Sequence, residues 1–213
     1  MLLDYAATHP HAKLRFTASD MVLHIDTDAA FLAQPQAKSR VAGYYFMSSK
    51  IVNNGVPETQ LNAPILVQVK TLRYTVGSAA EAEIGGLYTG CQTAVPIRQA
   101  LEEMNHPQPA TPIKTDNATA KGILTATMRP KMSKSIDKNY WWMKDKIKQY
   151  HLYWKCGREN CANYFTKHHP PTHHKMMRKK YLVANAISIL NALRVCVALQ
   201  AQEYQSNPDT KND

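Results

Sequence analysis

The sequence of 213 residues has little cysteine, no long apolar run and no export signal. Its four cysteines are too few for a disulfide scaffold, which favours an intracellular location in the cytoplasm or the nucleus. The most apolar stretch, residues 183–199, is interrupted by Asn185, Asn191 and Arg194, whereas a membrane span needs about 20 mostly apolar residues. The N-terminus lacks the basic region and apolar core of a signal peptide. We therefore expect neither a membrane segment nor a secreted protein.

Acidic residues are scarce in the second half of the chain. Residues 1–110 carry a net charge of −1, and residues 111–213 carry a net charge of +11. A basic half favours a polyanionic partner such as a nucleic acid. A solvated basic surface without a partner explains the same charge, so charge alone leaves both interpretations open.

The hydrophobic pattern predicts an α/β protein. The five predicted strands cover residues 20–26, 41–48, 64–72, 111–116 and 150–154. Ser78 and Glu81 form a capping box that starts a helix ending near Met104. Further helices are expected at residues 117–126, 136–149, 160–167 and 184–203. This order predicts a mixed sheet of three antiparallel strands followed by two parallel ones, with helices on its faces.

Acidic residues occur where such a sheet places a binding site. Asp26 ends the first predicted strand, Asp116 ends the fourth, and Glu83 lies in the first turns of the long helix. Ligands of open sheets bind at strand ends, and carboxylates gathered there repel one another unless a cation neutralises them. Mg²⁺ prefers oxygen ligands, and two such ions can activate a water and stabilise a leaving oxygen. Each acid also has a purely structural interpretation, as a cap, a turn residue or a partner of the helix dipole.

Four motifs carry a resemblance to a known family. They are residues 24–30 (His-Ile-Asp-Thr-Asp-Ala-Ala), 78–83 (Ser-Ala-Ala-Glu-Ala-Glu), 114–120 (Lys-Thr-Asp-Asn-Ala-Thr-Ala) and 162–167 (Ala-Asn-Tyr-Phe-Thr-Lys). In this order they resemble the ribonuclease H region of copia-type LTR retrotransposon polyproteins. The resemblance implies a ribonuclease H-like fold that hydrolyses the RNA strand of RNA–DNA hybrids with two Mg²⁺ or Mn²⁺ ions. No small-molecule cofactor is expected.

The resemblance also implies a division of the chain. Residues 1–19 resemble the connection from reverse transcriptase, residues 20–183 form the expected ribonuclease H-like domain, and residues 184–213 are expected to be a helical tail. The sequence contains no Tyr-x-Asp-Asp polymerase motif. We therefore expect a fragment of a retrotransposon polyprotein.

Four site positions follow from the resemblance. Asp26, Glu83 and Asp116 match the first three acids of the family, and Asn163 stands at the position of the fourth. An Asn oxygen can bind a metal ion but adds no negative charge, so weaker metal binding and slower cleavage are expected. Asp28 shares a face with Asp26 if the strand continues, and it is a reserve metal ligand. The alternative is a catalytically inactive, basic nucleic-acid-binding remnant of the same element.

A basic and aromatic stretch follows the third motif. The candidate nucleic-acid contacts are Asn117, Arg129, Lys131, Lys134 and Lys138. Basic side chains would contact phosphates, and a hybrid can be bound through groove shape and 2′-hydroxyl contacts without base readout. The neighbouring Trp141 and Trp142 are expected to lie mostly in the core.

Cysteine and histidine occur together near the fourth motif. Cys156 and Cys161 precede residues 168–174 (His-His-Pro-Pro-Thr-His-His), a composition that can bind zinc. The gap from Cys161 to the first histidine is far shorter than the about 12 residues of a classical zinc finger. Zinc is therefore not expected, and a zinc-dependent nucleic-acid binder stays a third hypothesis. The histidines would instead add pH-dependent positive charge near a nucleic acid.

Overall fold

The computed structural model describes residues 2–10, 12–49, 52–53, 56–57, 60–125, 127 and 134–182. The chain divides into two compact units. The larger unit, Phe16–Met177, contains the sheet and the candidate site. The other combines Met1–Arg15 with the chain from Arg178 onward, and it includes helix α1 (Leu2–Thr8). The helix expected at residues 184–203 lies outside the described residues.

Five strands form one mixed sheet. The described strands are β1 (Val22–Gln34), β2 (Lys38–Ser48), β3 (Val52–Asn53), β4 (Val56–Pro57), β5 (Pro64–Thr71), β6 (Thr111–Thr115) and β7 (Tyr150–Trp154). The sheet has the order β5-β2-β1-β6-β7, while β3 and β4 pair separately. β1, β2 and β5 are antiparallel, whereas β6 and β7 run parallel to β1. This topology confirms the predicted ribonuclease H-like fold class.

Helices lie on both faces of the sheet. The α-helices described after β5 are α2 (Ala79–Glu103), α3 (Ala118–Leu124), α4 (Lys134–Lys146), α5 (Asn163–Thr166) and α6 (Pro171–Tyr181). Ser78 caps the start of α2 as predicted, because its hydroxyl accepts a hydrogen bond from the Glu81 N–H at 3.2 Å. The Glu81 carboxylate accepts a hydrogen bond from the Gly77 N–H at 2.9 Å. Among the described residues, no helix is both long and apolar enough to cross a membrane.

The main core lies between the sheet and α2. Ile25 of β1 and Ile113 of β6 are buried together with Leu87 of α2, and each such side chain contributes about 1.5–3 kcal/mol through burial. Gly90 lets α2 approach β1 closely, because a Cβ at this position would lie 2.8 Å from the Thr27 methyl carbon. This approach fixes the middle of α2 beside Thr27 of β1.

The opposite face of β1 and β2 is covered by α5. The ring of Phe165 in α5 stacks on buried Tyr44 of β2 at a centroid distance of 6.4 Å. α5 also contacts β1, so the fourth sequence motif packs directly on the first. Residues of β1 that face this side are therefore enclosed between the sheet and α5.

Two details of the sequence prediction were wrong. β1 does not end at Asp26, because β2 pairs with it well beyond that point and keeps the strand extended through Asp28. Trp141 is not in the core: 66% of its surface is exposed, since α4 turns Ile136 and Met143 inward instead. Trp142 does pack, with its ring edge-on to Tyr88 at 5.3 Å.

Candidate active site

Three carboxylates from different elements converge beside the centre of the sheet. Asp28 belongs to β1, Glu83 to the first turns of α2, and Asp116 directly follows β6. One carboxylate oxygen of each lies within 4.8 Å of the others. Among the residues that the structure describes, this is the only group of three or more acidic, histidine or cysteine side chains so close together.

Each of the three acidic residues is held by a neighbour on a fixed element, two through the carboxylate and one through the backbone. The Ala29 N–H donates to Glu83 Oε1 at 3.0 Å, and this bond ties the start of α2 to β1. The Thr166 hydroxyl of α5 donates to Asp28 Oδ2. The position of Asp116 is fixed through its backbone, because the indole N–H of Trp154 donates to its carbonyl oxygen at 2.8 Å. The group is thus pre-organised by the sheet and two helices.

Two oxygens of this group are buried and unsatisfied. Asp28 Oδ1 and Glu83 Oε2 form no hydrogen bond, and the two residues are only 1% and 5% exposed. A buried carboxylate oxygen without a partner is costly, and neighbouring carboxylates add repulsion. A cation in contact with these oxygens would remove both costs.

The surroundings shift the protonation of this group. Burial raises the pKa of Glu83 to about 9, and the charges of Asp28 and Asp116 add to the rise. Burial also raises the pKa of Asp28; Thr166 and Lys167 oppose this shift, and Asp116 adds to it. The ionised forms of Asp28 and Glu83 are therefore unfavourable unless a positive charge lies close to them.

Asp26 lies outside this group. Its Oδ2 forms an ion pair with Lys114 Nζ at 2.8 Å and accepts a hydrogen bond from the Cys161 N–H at 2.9 Å, while its Oδ1 has no hydrogen bond. Burial raises the pKa of Asp26, and the charge of Lys114 opposes the shift. Lys114 also donates to the Glu159 carbonyl, so the pair joins β1 and β6 to the loop after β7. The structure thus brings together Glu83, Asp116 and the reserve candidate Asp28.

Asn163 lies at the start of α5, next to a loop that touches the group. Its side-chain N–H donates to the Gly157 carbonyl at 3.5 Å. A Cβ at Gly157 would lie only 2.5 Å from Asp116 Oδ2, so any larger residue there would displace this carboxylate. Sequence reasoning missed Gly157, because a single glycine in a loop gives no signal of what approaches it.

Lys167 is a second residue that sequence reasoning missed. Its Nζ lies 4.0 Å from Asp28 Oδ2 and also donates to Asn163 Oδ1. The residue closes the fourth motif, and its spacing of four from Asn163 places the two on neighbouring turns. That spacing was the available signal. A positive side chain is therefore hydrogen-bonded to Asn163, the residue at the position where the resemblance places a fourth acid.

The candidate nucleic-acid contacts are only partly described. Arg129 and Lys131 lie outside the described residues, and Lys134 is the first residue of α4. Lys138 is exposed on α4, the helix that also exposes Trp141. Asn117 is the N-cap of α3, and its Oδ1 accepts a hydrogen bond from the Ala120 N–H at 2.9 Å. Asn117 therefore has a structural role as the cap of α3, whether or not it contacts a nucleic acid.

The histidines after α5 pack with one aromatic ring. His169 lies between Tyr164 and His173, with ring centroids at 5.4 Å and 4.1 Å. The Tyr164 hydroxyl shares a hydrogen bond with Nδ1 of His174 at 2.7 Å. Cys161 is buried, and its backbone N–H donates a hydrogen bond to Asp26 Oδ2. In the described part of the chain, these side chains do not form a cluster at metal-binding distances.

Comparisons with known proteins give structural neighbours only. No family model and no curated protein matches the sequence. The N-terminal RNase H domain of a Mycobacterium tuberculosis protein, solved as a maltose-binding-protein fusion, is 12% identical, with a TM-score of 0.48, covering 75% of this chain and 96% of that one. LC11-RNase H1, isolated from compost by metagenomics, is 7% identical with a TM-score of 0.48, covering 68% of this chain and 90% of that one. The protease-reverse transcriptase of prototype foamy virus is 16% identical with a TM-score of 0.41, covering 68% of this chain and 20% of that one.

Proposed function

We propose that the chain is the ribonuclease H-like domain of a copia-type retrotransposon and hydrolyses the RNA strand of RNA–DNA hybrids with divalent metal ions. The observation that carries the proposal is the convergence of Asp28, Glu83 and Asp116, with two buried carboxylate oxygens that have no hydrogen bond. The order of the four sequence motifs supports the same family, and the topology of the sheet supports the same fold.

The residues present fit a hard divalent ion. All three side chains offer carboxylate oxygens, which Mg²⁺ and Mn²⁺ prefer, and no soft ligand is among them. The unsatisfied oxygens belong to Asp28 and Glu83, so a bound cation would supply the partner that these two buried oxygens lack. Such an ion, when bound, polarises a phosphoryl oxygen and lowers the pKa of a water molecule.

The chain's own residues hold the site in shape. Thr166 orients Asp28, and the Ala29 N–H orients Glu83, so neither carboxylate has to reorganise when a substrate arrives. We assign to Asp28 the place of the first acid, because Lys114 already neutralises Asp26. Asp26 then acts as a structural partner that fixes β1, β6 and the loop after β7 beside the site.

The proposed substrate accounts for the charge of the chain. The net charge of +11 over residues 111–213 suits a polyanion, and exposed Lys138 beside exposed Trp141 offers a phosphate contact and a stacking surface on α4. Binding of this kind depends on the groove shape and the phosphates of the nucleic acid more than on its base sequence. An RNA–DNA hybrid can be recognised in this way. Affinity should fall steeply as the salt concentration rises.

A second candidate is a binding module that has lost catalysis. Asn163 favours it, because this residue supplies an amide where the family has an acid, and Lys167 adds a positive charge against that amide. Both features weaken the attraction of the site for cations. The fold and the basic surface would remain, so hybrid binding without cleavage identifies this candidate.

The test is cleavage of a hybrid with a labelled RNA strand, with Mg²⁺ or Mn²⁺ and with EDTA. We expect metal-dependent cleavage by the wild type, loss of cleavage in Asp28→Asn, and normal cleavage in Glu103→Gln, an acid-to-amide control at an exposed position of α2. Circular dichroism checks that each variant folds.

The other outcomes are equally informative. Cleavage that survives Asp28→Asn contradicts the site assignment. Salt-sensitive hybrid binding without cleavage by the wild type, with cleavage restored by Asn163→Asp, supports the inactive candidate. Absence of both cleavage and binding in folded protein contradicts both.

A further inference from the structure

The candidate site contains a positive side chain beside its three carboxylates. Lys167 Nζ lies 4.0 Å from Asp28 Oδ2 and donates to Asn163 Oδ1. The Lys167 side chain is 46% exposed, whereas that of Asp28 is 1% exposed, so the ammonium reaches the buried group from the solvent side. Its charge acts on Asp28 and on Glu83, opposing the rise in the pKa of both. Lys167 is thus electrostatically part of the group.

Charge decides how many metal ions such a site accepts. Three carboxylates and one ammonium carry a formal charge of −2. One divalent ion balances this charge, whereas two would leave an excess of positive charge in a partly buried place beside the ammonium. Unbalanced charge of this kind is costly because the surrounding dielectric is low. The group is therefore matched to a single divalent ion.

The identity of residue 163 fits the same arrangement. An Asn side chain can accept a hydrogen bond from an ammonium without adding a negative charge, and its N–H donates to the Gly157 carbonyl at 3.5 Å. Both ends of the Asn163 amide are therefore engaged by the protein. An Asp at this position would instead present a further anionic oxygen, which a second metal ion could use.

We propose that the ammonium of Lys167 takes the place of a second metal ion, so that Asp28, Glu83 and Asp116 hold one divalent ion. The inference rests on the proposed function, and it departs from the two ions that the family resemblance implies. Lys167 is then a positioning residue that sets the charge of the site and repels a second cation. Asn163 holds its head group in place.

The proposal predicts a specific coupling between Lys167 and the metal ion. Removing the positive charge should tighten the binding of the first ion, because the ion and the ammonium share Asp28. Coupling free energies between such sites correspond to an affinity change of about fivefold or more. The double variant Asn163→Asp/Lys167→Gln adds an anion and removes a cation, and it should accept two ions.

The experiment is a titration of the full chain with Mn²⁺, without nucleic acid, followed by electron paramagnetic resonance and calorimetry. We expect one ion in the wild type and in Lys167→Arg, tighter binding in Lys167→Gln, and two ions in the double variant. Lys70→Gln, a matched change at an exposed position of β5, should bind as the wild type does.

Two ions of similar affinity in the wild type, or a Lys167→Gln variant that binds Mn²⁺ as the wild type does, would overturn the inference alone. If no folded variant binds Mn²⁺, the proposed metal-dependent function fails together with it. Stoichiometry is read directly from the spectra, so the result does not depend on whether the chain cleaves RNA.

Discussion

Asp26 and Asp28 lie two residues apart on β1, share one face of the strand and are 0% and 1% exposed. Each leaves one oxygen without a hydrogen bond. Their surroundings differ in charge. Asp26 has the ammonium of Lys114 at 2.8 Å, whereas Asp28 lies beside two further carboxylates and has the ammonium of Lys167 at 4.0 Å.

The difference separates a carboxylate that serves the fold from one that is available to a ligand. The Asp26–Lys114 pair balances its own charge inside the protein, and removing either partner would strand the other. The group around Asp28 concentrates like charges in a buried place, which a folded protein tolerates at a ligand site. Burial alone does not distinguish these cases, and the neighbouring charges do.

The largest effect should come from breaking the balanced pair. Asp26→Asn leaves Lys114 buried without a counter-charge, so we expect the free energy of unfolding to fall by about 3–5 kcal/mol. Asp28→Asn removes repulsion, and stability without metal should stay the same or rise. Urea denaturation in EDTA measures both. Equal losses in the two variants would contradict the different roles of the two aspartates.

The unbalanced group should make stability depend on pH. The pKa of Glu83 is raised from 4.5 to about 9, so the folded state binds a proton more tightly than the unfolded chain does. The resulting stability is fully present below about pH 4.5 and is lost as the pH rises towards 9, by at most about 1.4 kcal/mol per pH unit.

Denaturation in EDTA at about pH 5.5 and about pH 7.5 measures this loss. Glu83→Gln cannot ionise and should show a flatter profile than the wild type, whereas Glu103→Gln should keep the wild-type slope. Identical slopes in all three proteins would contradict the environment described for Glu83.

Metal binding should raise the free energy of unfolding of the protein, and this gain should depend on Asp28. At a Mn²⁺ concentration of 100 times its Kd, the wild type should gain about 2.7 kcal/mol. Asp28→Asn should lose this gain, because it removes an anionic ligand. Thermal unfolding with and without Mn²⁺ gives the difference, and Glu103→Gln should respond as the wild type does. A full metal response in Asp28→Asn would exclude Asp28 as a ligand.

The smallest effect should come from the hydroxyl that orients Asp28. Thr166→Val removes the hydrogen bond to Asp28 Oδ2 while keeping the shape of the side chain. Loss of a group that orients a metal ligand typically weakens metal binding by about tenfold or more. Calorimetric titration with Mn²⁺ checks this, and Thr166→Ser should keep the wild-type affinity. Unchanged binding in Thr166→Val would show that Asp28 needs no orienting partner.

Much of the fold was predictable, because its signals are local. The alternation of β-prone segments, the capping box at Ser78 and the order of the elements together predict the sheet that is observed. The end of β1 was not predictable from the strand itself. It continues past Asp26 because β2 pairs with it and α5 covers it, and both are long-range contacts.

The site was predictable in part for the same reason. The motifs singled out Asp26, Glu83 and Asp116, with Asp28 as a reserve ligand. The structure brings Glu83 and Asp116 together with Asp28, while Asp26 lies outside the group. The different surroundings of Asp26 and Asp28 depend on the parallel register that sets Asp26 opposite Lys114. Neither that register nor the approach of Lys167 to Asp28 is encoded in a local pattern.

Trp154 gives the site an optical signal of its own. Its indole N–H is bonded to the Asp116 carbonyl, and 47% of its surface is exposed at the end of β7. Indole fluorescence responds to nearby charge and to the loss of water. The chain has three tryptophans, so replacing Trp141 and Trp142 by Phe would leave a single emitter at the carboxylate group. Arrival of an ion or a nucleic acid strand could then be followed in real time on unlabelled protein.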